Sequence, residues 1–246
     1  MYPFYVTILH IGQRPFLSVD FIKKRFNLSH LNASLILLCA GGSTRFGLKA
    51  KKQWLRIDDM PLWLFVASRL SQIGFKKIVV VGAPDELSYM RKFATYEFVS
   101  GGESRQESLN NALSVIDTEW VFSHDVARVC TPNELFFELF SAKDNFECVV
   151  PAIKAQDTTL LDGENLDREK LSLIQTPQLS KTELLKKALA QGIEYTDDST
   201  AIKAVNGKVK LVNGDKKAHK LTTLDDLSRM SCLKAPSKEQ FIGFGT

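Results

Sequence analysis

Five short apolar runs rich in β-branched residues, each separated from the next by a stretch of different period, constrain this chain more than any other feature. The runs are 34–40, 77–81, 97–100, 120–123 and 147–151. Runs of this length and composition read as strands buried on both faces of a parallel sheet. Between them, 61–73, 85–94, 104–116 and 132–142 have helical period. Pro61 and Pro132 suit first-turn positions, and Ser104 suits an N-cap with Glu107 at the third helical position. Strand–helix alternation implies right-handed βαβ units. The expected fold class is therefore α/β: an open, mostly parallel, twisted sheet with helices on both faces.

The pattern changes after Pro151. Asp162-Gly163 is a hairpin signal, so about 152–174 reads as a projecting β-arm. Helices at 181–191 and 198–205, a strand at 208–212 and a helix at 224–232 close a domain spanning 34–233. Residues 1–33 form an N-terminal extension whose weakly amphipathic stretch 20–28 reads as a surface helix. At the other end, 235–240 reads as a linker, and 241–246 as a strand cut short.

Composition excludes several classes. A formal charge of +4 needs no nucleic-acid partner, and its local excess in Lys49-Ala50-Lys51-Lys52 lies beside glycines. No apolar stretch reaches the length of a membrane span, and the N-terminal apolar run has no basic residue ahead of it. The four cysteines, Cys39, Cys130, Cys148 and Cys232, have no metal-site spacing. We read a reducing, cytoplasmic compartment.

In open α/β sheets ligands bind beyond the carboxyl ends of the strands. After the first run comes Ala40-Gly41-Gly42-Ser43-Thr44-Arg45, then Lys51-Lys52-Gln53. Glycines let backbone N–H groups approach phosphate oxygens, and Arg45 and Lys52 can close on one triphosphate. The spacing fits neither a P-loop nor a dinucleotide fingerprint. By itself the loop reads first as a plain turn with exposed cations. After the third run, Gly101-Gly102 opens a helix on which Arg105 and Ser108 share a face. Arg105 there is either an anion or base contact or a surface arginine behind a capping box. After the fourth run, Asp125 is placed to hold Mg2+, with Arg128 orienting it or paired with it structurally. His124 reads as structural. Asp197, Asp198 and Lys220 carry no distinctive pattern of their own.

Together, the stretches AGGSTRF with KKQ, GGESRQES, HDVAR, IQTPQ, YTDDS and HKLTTLDDL resemble the 2-C-methyl-D-erythritol 4-phosphate cytidylyltransferase family. The resemblance runs in order from about Ser34 to Met230. It implies a Rossmann-like nucleotidyltransferase fold that transfers CMP from CTP to methylerythritol phosphate and releases pyrophosphate, with Mg2+. It implies that Arg45, Lys52 and Lys220 are catalytic. Ala40, Gly41, Gly42, Gly102, Arg105, Ser108 and Asp125 would bind nucleotide, Asp125 also holding metal. Arg128 and Thr196 would bind the acceptor. Thr158 and Arg168 would lie on the arm, which in the family crosses a two-fold axis to complete the partner's site, so a homodimer is implied. Two departures stand out. Lys51 replaces the proline most members carry, and HDVARV replaces HDAARP. The segment 241–246 is similar to the first strand of the methylerythritol cyclodiphosphate synthase that some bacteria fuse behind this enzyme. Rival readings are a nucleotidyltransferase with another acceptor and a non-catalytic nucleotide-binding domain.

Overall fold

A computed structural model of the chain describes residues 8–11, 16–26, 31–48 and 50–234. In chain order the elements begin with β1 (Ile8–Ile11), α1 (Val19–Phe26), β2 (Ala33–Leu38), β3 (Arg56–Ile57), β4 (Met60–Pro61) and α2 (Leu62–Ser71). Next come β5 (Ile78–Gly82), α3 (Leu87–Met90), β6 (Glu97–Ser100), α4 (Arg105–Leu113), β7 (Trp120–Asp125) and α5 (Asn133–Ser141). Then follow β8 (Cys148–Lys154), β9 (Thr159–Leu161), β10 (Glu164–Leu166), β11 (Ser172–Ile174) and β12 (Gln178–Lys181). The chain continues through α6 (Thr182–Leu189), α7 (Asp198–Ala204), β13 (Val209–Asn213) and β14 (Leu233–Lys234).

The main sheet has the order β11-β8-β12-β7-β2-β5-β6, with β13 on the other edge of β8. Neighbours β7, β2, β5 and β6 are parallel, as are β8 and β13. The antiparallel β12 joins the two parallel groups. Alternation along β2 separates two cores. Leu35 and Leu37 face one with Trp63, Phe122 and Phe136, while Ile36 faces the other with Val79, Leu109 and Ile202. Helices therefore cover both faces, as a sheet of continuous apolar strands requires.

The expected strand at 120–123 runs two residues further. Pairing of Leu37 with His124 and Leu38 with Asp125 draws both polar residues into β7. The β12 strand has no counterpart in the sequence reading. Its Gln178 and Ser180 look polar, yet both are buried between two strands. The helix expected over 85–94 is a single short α3, and the one expected over 224–232 is a 3-10 turn, Leu224–Arg229. A hairpin lies where Asp162-Gly163 signals one: β9 and β10 pair antiparallel around these residues, at φ 50° and 90°. Positive φ at both positions suits the right-handed strand twist. By contrast, 152–154 and 172–174, read as parts of the arm, pair with each other in the main sheet as the end of β8 and β11.

The N-terminal extension is partly built into the fold. Strand β1 lies between β3 and β14 in a small second sheet, and α1 stacks Phe26 on Phe137 of α5 at 5.9 Å. Residues 27 and 28 of the expected surface helix, the linker 235–240 and the segment 241–246 lie outside the described residues. Cys39 and Cys148 are buried free thiols. Cys130 and Cys232, by contrast, form a disulfide with Cα atoms 5.3 Å apart, across a separation of 102 residues. Such bridges belong to oxidising surroundings, so cysteine usage gives no support to a reducing compartment. Among the described residues no helix is long and apolar enough to cross a membrane.

Phe136 locks β7 from one side. It is fully buried and meets Phe122 and His124 at 5.4 Å and Phe75 at 5.7 Å. Phe136→Ala is expected to cost about 3–5 kcal/mol in denaturant unfolding, with little change in the slope. A cost under about 1 kcal/mol would show that the ring cluster does not anchor the strand.

Candidate active site

The loop after β2 doubles back on itself. Ser43 sits at φ 57°, and its Oγ accepts a hydrogen bond from the Lys52 N–H at 2.9 Å. The Gln53 side-chain amide donates to the Gly41 carbonyl at 3.3 Å, and Phe46 is buried beneath the loop. These contacts bring the two ends of the loop together, so Arg45 and Lys52 face one space. The loop after β6 approaches from the opposite side. A Cβ on Gly101 would lie 2.4 Å from the Cβ of Ala40, so only glycine allows the two loops to touch. Ser104 caps α4 by accepting from the Glu107 N–H at 3.0 Å, as its spacing predicts. Ser108, one turn on, accepts from the Gly102 N–H at 3.1 Å.

Between the loops is a cleft of about 330 Å³. Ala40, Gly41, Gly42, Arg45 and Lys52 form one wall. Gly102, Arg105 and Ser108 form the other, and Asp125 and Lys220 close the end. A second cleft of about 640 Å³ adjoins it. The two share Arg105, Asp125 and Lys220, and the second is lined further by Arg128, Thr176 and Thr196.

Asp125 is the electrostatic centre. Its Oδ2 lies 2.7 Å from Lys220 Nζ, and its Oδ1 3.4 Å from Arg105 Nε. Its own N–H donates to Thr176 Oγ1 at 3.1 Å. Burial alone would raise its pKa. The Arg105 guanidinium and the Lys220 ammonium outweigh burial and hold the carboxyl well below the usual range. Arg105 is fixed in turn. Its Nη1 lies 3.1 Å from Asp198, and its Nη2 donates to Ser123, whose hydroxyl donates to Asp198 at 2.6 Å. Burial, then the neighbouring Lys220 and Arg45 cations, lower the pKa of Lys52. That influence ties the three cations into one cluster.

Arg128 does not pair with Asp125 as the sequence suggests. Its Nη1 donates to the Ala218 carbonyl at 2.6 Å, leaving Arg105 and Lys220 as the partners of Asp125. His124 is structural: its Nδ1 lies 3.2 Å from Thr176 Oγ1, and burial pushes the imidazole down to about 3. Lys220 owes its position to a turn built around Asp226. That carboxylate accepts from the N–H groups of Thr222 and Thr223 at 2.8 Å each and meets His219 Nε2 at 2.8 Å. Thr158 and Arg168 lie on the arm and line neither cleft. Arg168 is exposed and donates to the Gln156 carbonyl at 3.3 Å. The sequence reading missed Asp198. Its neighbour Asp197 is indeed a helix cap, accepting from the Thr200 N–H at 2.9 Å. Asp198 is instead 1% exposed and joined to Arg105. Only the burial rule, that a buried charge must be paired, distinguishes the two carboxylates.

An open, mostly parallel sheet whose strand ends carry a glycine loop, clustered cations and a buried carboxylate defines a protein of the nucleotidyltransferase class. The profile of the family described as 2-C-methyl-D-erythritol 4-phosphate cytidylyltransferase matches residues 33–233, and the chain belongs to that family. It is 52% identical over 217 residues to the bifunctional enzyme IspD/IspF of Campylobacter concisus, covering 87% of this chain and 58% of that protein. Its fold matches the bifunctional IspDF of Campylobacter jejuni with a TM-score of 0.79 at 52% identity, over 83% of this chain and 55% of the other. The 2-C-methyl-D-erythritol 4-phosphate cytidylyltransferase of Thermus thermophilus matches with a TM-score of 0.68 at 26% identity, over 80% and 96% of the two chains. The chain thus spans a little over half the length of the bifunctional relatives.

The depressed pKa of Lys52 sets a pH limit. Were its charged ammonium to hold a phosphate, the alkaline limb of kcat/KM for a nucleotide would lie below the ordinary lysine value of about 10.4. Lys52→Arg should move that limb upward. A pH–rate profile with the same limb in both proteins would remove Lys52 from the nucleotide step.

Proposed function

We propose that this domain transfers CMP from CTP to 2-C-methyl-D-erythritol 4-phosphate. The single observation that carries the reading is the meeting of two clefts at Asp125, Arg105 and Lys220. One cleft, with its glycine loop and cations, suits a triphosphate. The other, with Arg128 and Thr196, suits a small phosphorylated polyol. Arginine is well shaped for a phosphate monoester.

The acceptor's phosphate oxygen is already ionised at neutral pH and needs no general base. It attacks the α-phosphorus of CTP in line. The bond from that phosphorus to the bridging oxygen breaks, and pyrophosphate leaves with the electron pair. Positioning and charge stabilisation supply the acceleration. Arg45 and Lys52 hold the triphosphate and take up the charge that develops on it. Lys220 stands at the junction, where the reacting oxygens meet.

Among the described residues no cluster of three or more metal-ligating side chains occurs. A lone carboxylate between two cations fits an ion that draws most of its ligands from phosphate and water, as Mg2+ does. Asp125 would hold it, and the ion would neutralise phosphate charge. We assign Thr158 and Arg168 to the acceptor site of a partner subunit in a homodimer. The arm supports this, with Leu160 and Leu161 of β9 58% and 59% exposed. We read residues 34–233 as the transferase domain and 234–246 as the connection toward a second domain, the reading the bifunctional relatives favour.

With methylerythritol phosphate and Mg2+, pyrophosphate release is expected with CTP and not with ATP, GTP or UTP. Release with another triphosphate or another acceptor, and none with CTP, would overturn the assignment. Lys52→Ala is expected to lower kcat about 100- to 1,000-fold while leaving the unfolding midpoint nearly unchanged. Equal turnover would refute its role.

A further inference from the structure

Lys52 is a loop cation of the proposed triphosphate cleft, and both of its sequence neighbours are held by one carboxylate. Lys51 Nζ lies 2.9 Å from Glu86 Oε1. Gln53 Nε2 donates to Glu86 Oε2 at 3.1 Å and reaches the Gly41 carbonyl at 3.3 Å. Gln53 is 2% exposed, and the Glu86 side chain only 10%, so neither end of this clasp is a loose surface group. Glu86 occupies the N-cap position of α3, yet its side chain makes no cap hydrogen bond. Its carboxylate turns away from its own helix and across to the glycine loop. The next residue of the loop follows it: Trp54 packs on Tyr89 of α3 and on Phe93 just beyond, with centroids 5.2 and 6.1 Å away.

We propose that Glu86 is a positioning residue for Lys52, clasping the loop through Lys51 and Gln53. The Lys52 N–H is fixed independently by Ser43, so the Lys52 backbone is held from three directions. A displacement of about 1 Å at such a group costs on the order of 100-fold in rate, so a clasp of modest strength has a large catalytic lever. Its effect on global stability is small, because a partly exposed ion pair contributes little. The clasp also accounts for the lysine at a position where the family pattern has proline. Lys51 has φ −68° and ψ 145°, within the range a proline ring imposes. Proline would stiffen the loop through its ring, whereas Lys51 stiffens it through Glu86.

The proposal rests on the cytidylyl-transfer reading for its rate readout and on loop order for an independent one. Glu86→Gln, Lys51→Ala, the double variant K51A/E86Q and the double variant K51P/E86Q are assayed with CTP and methylerythritol phosphate. Trypsin cleavage at Lys51 and Lys52 is timed in the wild type and in E86Q. In E86Q, kcat is expected to fall about tenfold and loop cleavage to quicken about tenfold, with KM for the acceptor and the thermal midpoint nearly constant. K51A/E86Q should be no slower than E86Q, and K51P/E86Q at least about threefold faster than K51A/E86Q. An E86Q enzyme with wild-type kcat, or losses that multiply in K51A/E86Q, would overturn the role of Glu86. If the wild type does not turn over these substrates, the transfer reading fails. The cleavage rate then decides the clasp alone: unchanged cleavage in E86Q overturns it, and faster cleavage upholds the loop restraint.

Discussion

Asp125 keeps its charge while buried at the carboxyl end of the central strand, and the layout of the site follows from how that is arranged. A buried carboxylate without partners protonates or destabilises the fold. Here Lys220 meets one oxygen and Arg105 the other. Arg105, itself largely withdrawn from water, needs a second counter-charge, and Asp198 with Ser123 supplies it. The network joins β7, the start of α4, the start of α7 and the loop before Leu224. Four elements distant in sequence therefore converge where the two clefts meet. Breaking one member of such a network strands its buried partner, which costs far more than an exposed pair would.

The scaffold prepares this meeting with ordinary means. Apolar strands β2 and β7 pair side by side in the middle of the sheet, and their register sets Leu38 opposite Asp125. The loop leaving β2 is thus placed beside the carboxylate. Gly101 lets the loop from β6 lie against Ala40, so the two loops wall one narrow cleft. The small sheet of β14, β1, β3 and β4 ties the N-terminal extension to the segment just after the glycine loop and to the end of the domain. That second sheet gives residues 8–11 a structural role the family core does not require.

Much of this was legible in the sequence, and the exceptions share a cause. The parallel strands announced themselves through β-branched runs, and the arm through Asp162-Gly163. Strand β12 did not, because burial of Gln178 and Ser180 depends on the strands either side of it rather than on its own composition. The glycine loop was visible but ambiguous, and only its combination with motifs at other strand ends narrowed it. Arg128 looked like the partner of Asp125 because it is three residues away. The actual partners are 20 residues upstream and 95 downstream. Asp198, the Cys130–Cys232 bridge and the Glu86 clasp were hidden for the same reason: each is a contact between residues far apart in the chain. Periodicity reports the neighbours of a residue along one element, and these contacts cross elements.

The central claim is that the loop 41–52 and the Asp125 cluster grip one nucleoside triphosphate with its α-phosphorus at the junction of the clefts. A crystal structure of the protein with CTP and Mg2+ tests it most directly. The account predicts triphosphate oxygens within about 3 Å of the glycine-loop N–H groups and of the Arg45 and Lys52 nitrogens, with the α-phosphate facing Lys220. CTP seated with its triphosphate outside this cleft, or with the α-phosphate turned away from the second cleft, would contradict it.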